Sequence, residues 1–451
     1  MISRLRNFAG AICKHQGFQK YLKNTGWLFG GQMLRMVLGL FVSVAVARYL
    51  GPSDFGLFNY VLSIVALVAV VCSLGLENLA RRELVEHPEQ KNEILGSCFT
   101  LSAIAGLFGY TALLGTVALA GVDRYLIGIY ALLGGTLLFT PFKFIETWFQ
   151  SQVRGELSVI STSISLLVFA GVKVAAILAG LDFIIFCYIF LLEAASLVLI
   201  RIYMYTKHYQ SVFDWSASLA RGKWLLAQSW PMILSGLAIT VYMRIDQVML
   251  GAMATDTDVG NYAAATRISS VWYFVPSILA SSLFPAIVSA KKQGEKIYRE
   301  RLQRYFDLNA AMAYLIIVPV SLLSGWIILT LYGDAYSEAC PILLIHVWAS
   351  LFVFIGVARN QYLVAEGFFK ISSFTTFLGA FVNVVTNYIL IPKFSGVGAA
   401  FATLIAQVIA TYLACLIFPG TRELFSRLSR SLILTHTIRE LFHEKNHYRN
   451  L

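Results

Sequence analysis

Charge is what this chain has least of. Charged residues are 13% of its 451 positions, while 58% are hydrophobic, against roughly 25% and 45–50% in soluble domains. A soluble globular or disordered chain is therefore excluded, and an all-α integral membrane protein is expected. Cysteine is also scarce. The six (13, 72, 98, 187, 340, 415) include no close-spaced pair, so neither a disulfide framework nor a metal site is expected. Long connections are missing too, and none between apolar runs is large enough to fold as a domain. The longest, Thr206 to Trp224, holds Arg221-Gly222-Lys223-Trp224, but Ala217 stands where a phosphate loop needs its first glycine. No Ser or Thr follows Lys223, so a nucleotide site is excluded. No cofactor is implied, and energy must come from a gradient, a potential or the substrate itself.

What the chain has in abundance is apolar runs of bilayer-spanning length, about 20 residues. Twelve are read: Trp27–Leu50, Phe55–Glu77, Ile94–Gly121, Tyr125–Phe149, Leu157–Gly180 and Phe183–Tyr205, then Leu225–Gly251, Val259–Ala290, Tyr305–Leu331, Ser337–Glu366, Ile371–Pro392 and Val397–Phe418. They divide the chain into an amphipathic N-terminal segment (1–24), a six-helix lobe (25–205), a linker (206–224), a second six-helix lobe (225–418) and a basic tail (419–451). The side shared with the N-terminus carries 25 Lys and Arg, the other side three (Arg48, Arg124, Lys393). Both termini are expected to be cytoplasmic. Six spans per lobe relate the lobes by a pseudo-twofold along the membrane normal. The net charge of +11 then reflects orientation and contact with anionic membrane lipids, and requires no nucleic acid. Within the tail, Leu424, Phe425, Leu428 and Leu432 alternate with Arg422, Arg427 and Arg430, which fits either a membrane-surface helix or a disordered basic tail.

The lobes also repeat in sequence. Tyr49-Leu-Gly-Pro-Ser-Asp-Phe-Gly-Leu-Phe-Asn-Tyr60 returns as Met249-Leu-Gly-Ala-Met-Ala-Thr-Asp-Thr-Asp-Val-Gly-Asn-Tyr262. Leu50-Gly51 aligns with Leu250-Gly251 and Gly56 with Gly260. Each copy is a short polar hinge between apolar runs, and such half-bundles place a substrate site between them in many transporters.

Ionisable groups inside spans cost about 2.5–3.5 kcal/mol each by insertion scales. Those read as intramembrane are the cations Arg35, Lys143, Lys173, Arg244, Arg267 and Arg359, and the acids Glu146, Glu193 and Asp246. Lys143 and Glu146, three apart on one face, are expected to neutralise each other. Lys173 and Glu193 flank a tight turn at nearly equal depth. Arg244 and Arg267 also share a depth, and Asp246, two residues from Arg244, faces elsewhere. Gln247 lies on the Arg244 face and Ser270 on that of Arg267. Pro231, Pro276, Pro285 and Pro319 interrupt the seventh to ninth spans and permit bends. The candidate substrate-binding set is Arg35, Arg244, Arg267, Arg359, Asn59 and Gln247, because guanidinium forks suit phosphate oxygens. Asp246 and Glu193 are the candidates for proton coupling. Tyr242 and Tyr273 are among the aromatics able to stack on sugar rings.

At Arg48-Tyr-Leu-Gly-Pro-Ser-Asp-Phe-Gly-Leu-Phe-Asn-Tyr60, with Arg244-Ile-Asp-Gln-Val-Met-Leu-Gly251, Tyr332-Gly-Asp-Ala-Tyr336 and the run Pro392 to Thr403, the sequence resembles the polysaccharide transporter family. Its members include O-antigen and capsule-unit flippases, within the superfamily that also holds multidrug extruders. The resemblance implies a twelve-helix, two-lobed carrier in the bacterial inner membrane, with no enzymatic activity. Its implied substrate is an undecaprenyl-diphosphate-linked oligosaccharide, and polysaccharide polymerase machinery is an implied partner. Drug extruders of the superfamily carry acids in the N-terminal cavity, where the first span here offers Arg35. The peptidoglycan-precursor flippase has two further C-terminal spans. A membrane polymerase, ligase or glycosyltransferase would need a sizeable outward loop, which the chain lacks.

Overall fold

The computed structural model describes residues 16–433. The expected amphipathic segment at the N-terminus, up to residue 15, and the end of the basic tail, from 434, lie outside the described residues. Every element among the described residues is helical. In chain order the α-helices are α1 Gln16–Cys72, α2 Leu76–Glu86, α3 Lys91–Leu119, α4 Arg124–Gly134, α5 Lys143–Ser151, α6 Gly155–Leu178, α7 Phe183–His208 and α8 Leu219–Met253. There follow α9 Asp256–Ser270, α10 Phe274–Ala290, α11 Glu295–Leu322, α12 Ser324–Tyr332, α13 Ala339–Ala365, α14 Phe369–Gln407 and α15 Arg422–Leu432. Ten stretches of the described residues are long and apolar enough to cross a membrane, so the chain is a multi-pass integral membrane protein.

Two of the ten are broken. Gly51 (φ 76°, ψ 171°) interrupts α1, and Ser395 (φ 45°, ψ −127°) interrupts α14. The breaks stand where the first expected span ends and the second begins, and where the eleventh gives way to the twelfth. At Gly51 the positive φ is open to glycine without the steric cost a Cβ brings. The equivalent hinge after α8 is built differently. Thr255 Oγ1 accepts from the Asp258 backbone N–H while Asp258 Oδ2 accepts from that of Thr255, a capping box that starts α9. The fourth expected span is itself divided by a 3₁₀ stretch, Gly135–Phe142, containing Pro141. The ninth ends early, at Leu323, four residues after Pro319.

The described residues group into two compact units, 16–49 with 61–237, and 50–60 with 238–433. In the first unit the core is aromatic. Trp148, Phe149, Tyr205 and Phe144 are buried with Leu76, Leu84 and Leu95, each contributing roughly 1.5–3 kcal/mol by leaving water or headgroups. The segment after α7 is fixed to this core rather than loose. Trp215 Nε1 donates to Tyr205 Oη at 3.0 Å, and the Ser216 N–H donates to the Asn92 carbonyl. In the second unit, α15 packs on α11. Leu424 and Leu428 are buried, Gln303 Nε2 donates to Ser431 Oγ at 2.9 Å and Ser431 Oγ to Asp307 at 2.6 Å. Residues 422–432 are thus a helix docked on α11 rather than a disordered tail, with its apolar Leu424 and Leu428 buried and Ser431 bonded to Gln303 and Asp307. Arg427 beside Glu423 holds that carboxyl below the usual range.

The charges inside the first unit are paired differently from the local pattern. Lys173 Nζ meets Glu193 Oε2 at 2.6 Å, as their depths imply. Lys143 and Glu146 do not pair. Glu146 instead accepts from Arg201 at 2.5 Å, and Lys143 reaches Glu77 at 3.4 Å. Arg201 is the stronger competitor because its guanidinium is buried and has more to lose without an acid. Glu146→Gln should therefore destabilise the protein by about 3 kcal/mol, the low end for breaking a buried pair, while Lys143→Gln should cost under about 1 kcal/mol. Thermal unfolding in detergent checks this, and equal losses would restore the local pairing.

Candidate functional site

The polar residues of the second unit converge on one cavity of about 160 Å³. It is lined by Arg244, Asp246 and Gln247 from α8, Arg267 and Ser270 from α9, and Phe55 and Asn59 from the repeat hinge in α1, together with Tyr242, Tyr273 and His346. Helical spacing explains the convergence. Arg244 and Gln247 are three residues apart, as are Arg267 and Ser270, so each pair presents one face. The two guanidiniums are near enough to repel one another.

Asp246 is the centre of the site. It is buried and accepts three hydrogen bonds, all from neutral groups: Tyr262 Oη at 2.6 Å and Thr403 Oγ1 at 2.7 Å on Oδ2, and Asn387 Nδ2 at 2.5 Å on Oδ1. Asn383 Oδ1 accepts from Asn387 in turn. His346 stands edge-on to Tyr262, with ring centroids 5.9 Å apart, and its Nδ1 lies 2.8 Å from Ser269 Oγ. A carboxylate bound this way is satisfied in low dielectric by dipoles rather than by an arginine. Two cations and one anion then border the same small space, which suits an anion of modest size.

Comparison with known proteins agrees with this architecture. Residues 21–291 match the family model described as polysaccharide biosynthesis protein, well over half of the chain. The chain belongs to that family. A second model, MatE, matches residues 231–389. The chain is 25% identical over 415 residues to the probable flippase AglR of Haloferax volcanii, covering 87% of this chain and 82% of the relative. It is 21% identical over 394 residues to the capsular polysaccharide biosynthesis protein CapF of Staphylococcus aureus, covering 86% and 97%. Among solved structures, the fold is similar to that of lipid II flippase MurJ in an inward closed conformation, with TM-score 0.71, 18% identity and 92% of each chain covered. It is also similar to an inward-facing multidrug resistance MATE transporter of the MOP superfamily, with TM-score 0.67, 16% identity, and 88% and 96% covered. Several of these relatives are named as flippases or transport proteins, and the solved structures of similar fold are transporters.

Against this frame of family members, the expected site residues separate. Arg244, Arg267, Gln247, Asn59 and Asp246 come together at the cavity. Arg359 does not line it. Its side chain is buried, with Nε 3.3 Å from Cys415 Sγ and Nη2 without a hydrogen-bond partner. Arg35 and Glu193 belong to the first unit, Arg35 exposed and Glu193 engaged by Lys173. His346, Tyr262, Asn387 and Thr403 were not singled out from sequence as site residues. The signal was present for one of them: Asn387 stands four residues after Asn383 in an apolar run, the spacing of one buried polar face.

The knot around Asp246 makes a measurable claim. Asp246→Leu and Asn387→Leu should each lower stability by about 1.5–3 kcal/mol, the range for hydrogen bonds to a charged group. The double variant should lose less than the sum of the two, since each single change strands the other partner. Additive losses in denaturation of the purified protein would show that the two residues do not share a bond.

Proposed function

We propose that this protein moves a diphosphate-linked oligosaccharide lipid across the bacterial inner membrane, from the cytoplasmic to the periplasmic leaflet, with both termini cytoplasmic. The undecaprenyl diphosphate carrier is part of the proposal, as is a surface polysaccharide such as O-antigen or capsule as destination. The observation that carries it is the pair Arg244 and Arg267 at one small polar cavity whose acid, Asp246, is held by neutral donors. Guanidinium forks match phosphate oxygens two at a time. At about 160 Å³ the cavity is below the roughly 300–1,000 Å³ of sites that enclose drug-sized ligands. It fits the phosphates rather than the sugars. The relatives named as a flippase, a capsular polysaccharide biosynthesis protein and a succinoglycan biosynthesis transport protein support the same substrate class.

The second candidate coupling acid, Glu193, already has Lys173, and Asp246 is the one that reaches the cavity. A headgroup of roughly two negative charges moving outward gains about 2.3 kcal/mol per charge per 100 mV of inside-negative potential. Obligatory proton exchange is not needed on that arithmetic. Asp246→Asn should then slow transport without abolishing it, whereas collapse of the membrane potential should slow the wild type strongly. Complete loss in folded Asp246→Asn would instead indicate an obligatory proton step.

Transport should rank wild type above lysine above alanine at both Arg244 and Arg267, at constant membrane abundance. Lysine keeps the charge and loses the fork. Accumulation of the lipid-linked intermediate in cells carrying only the variant reads this directly. Arg359→Ala should act differently, lowering the amount of folded protein more than turnover per molecule, because its guanidinium is buried outside the cavity. Wild-type turnover in the double alanine variant would remove the cationic site from the account.

A further inference from the structure

The two copies of the sequence repeat touch each other through their glycines. A Cβ on Gly56 would fall 1.7 Å from the Asp256 carbonyl oxygen, and one on Gly260 would fall 1.9 Å from the Pro52 carbonyl oxygen. The register that aligns Gly56 with Gly260 also aligns Pro52 with Asp256. Each glycine therefore meets the residue one helical turn before its counterpart, and the contact is reciprocal. Only hydrogen-bearing α-carbons pass this close to a carbonyl, and the Cα–H···O contacts they form are weak. Asp54 acts electrostatically on Asp256 beside it, a like-charge pair that opposes a permanent seal. Side chains add to the contact: the Phe55 ring meets Tyr336 edge-on, with centroids 6.5 Å apart, and the Tyr60 ring lies against Gly251.

The neighbours of both glycines border the cavity. Phe55 and Asn59 flank Gly56, Tyr262 and Ala263 follow Gly260, and all four line the space shared by Arg244 and Arg267. Residues 50–60 are grouped with the second unit although both flanking segments belong to the first, and Gly51 supplies a break at their start.

We propose that residues 50–60 form a latch, and that the reciprocal Gly56–Gly260 contact is its closed state, sealing one mouth of the cavity. Parting the glycines opens that mouth. The proposal rests on the transport reading for its purpose, and on the hinge geometry for its existence. Backbone-to-backbone closure suits a gate because it is tight when made, while the Cα–H···O contacts at its two glycines are individually weak.

Accessibility of the cavity tests it apart from transport. In a cysteine-free background, Ser270→Cys reports the cavity to an impermeant maleimide added from the side opposite the termini. Gly56→Ala and Gly260→Ala should each raise the labelling rate several-fold, since the added methyl group holds the latch open. Gly39→Ala, where nothing stands within 4 Å of the added carbon, should leave it unchanged. Separately, Asp54→Cys with Asp256→Cys should form an oxidant-induced crosslink that slows labelling of Ser270→Cys and is reversed by reductant. Unchanged labelling in both alanine variants at wild-type abundance overturns the latch, as does a crosslink that fails to form or forms without slowing labelling. Labelling that changes as expected in a protein that moves no lipid-linked saccharide would leave the latch standing and remove the transport reading.

Discussion

The structure depends on how few acids it has inside the membrane and on what each is bound to. An ionisable group in hydrocarbon persists only with partners. Within the first unit, Glu146 goes to Arg201, Glu77 to Lys143 and Glu193 to Lys173. Asp246 is the exception, because tyrosine, threonine and asparagine satisfy it. A carboxylate tied to dipoles keeps its geometry without a cationic partner. On the proposed function, the arginines at the same cavity meet the phosphates of the lipid-linked saccharide.

The same economy governs the backbone. Charge pairs and aromatic rings hold each unit together, the first through the Trp148 and Tyr205 cluster, the second through the seating of α15 on α11. At the hinge the closest approach is made by backbone instead. Carbonyl oxygens face bare α-carbons at Gly56 and Gly260, so closeness is reached without the rotamer interlocking that makes a core hard to separate. Strong packing within a unit and backbone closure at a hinge are what a carrier needs if its cavity is to change sides.

Much of this was legible in sequence where a local pattern carried it. The repeat marked the hinge and aligned Gly56 with Gly260, while their contact came only with the structure. Equal depth in adjacent spans brought Arg244 and Arg267 to one cavity, and the two-residue offset of Asp246 kept it from pairing with Arg244. Tertiary choices were not legible. The three-residue spacing of Lys143 and Glu146 is worth only a few tenths of a kcal/mol, and Arg201, 55 positions on, outbids it. Arg359 reads like the other intramembrane arginines until packing buries it against Cys415. The amphipathic pattern of 422–432 leaves a surface helix and a disordered tail equally open, and its seating against Gln303 and Asp307 of α11 is a tertiary contact that the pattern does not carry.

The central claim is that the cavity of Arg244, Arg267 and Asp246 holds the phosphates of a lipid-linked saccharide. A photoreactive amino acid at Thr266, a cavity-lining position, tests it most directly in membranes carrying phosphate-labelled lipid-linked oligosaccharide. The account predicts a labelled adduct at Thr266 that is lost when Arg244 and Arg267 are both alanine, with little adduct at the exposed Phe381 of α14. Equal labelling at the two positions, or an adduct indifferent to the arginines, would contradict it.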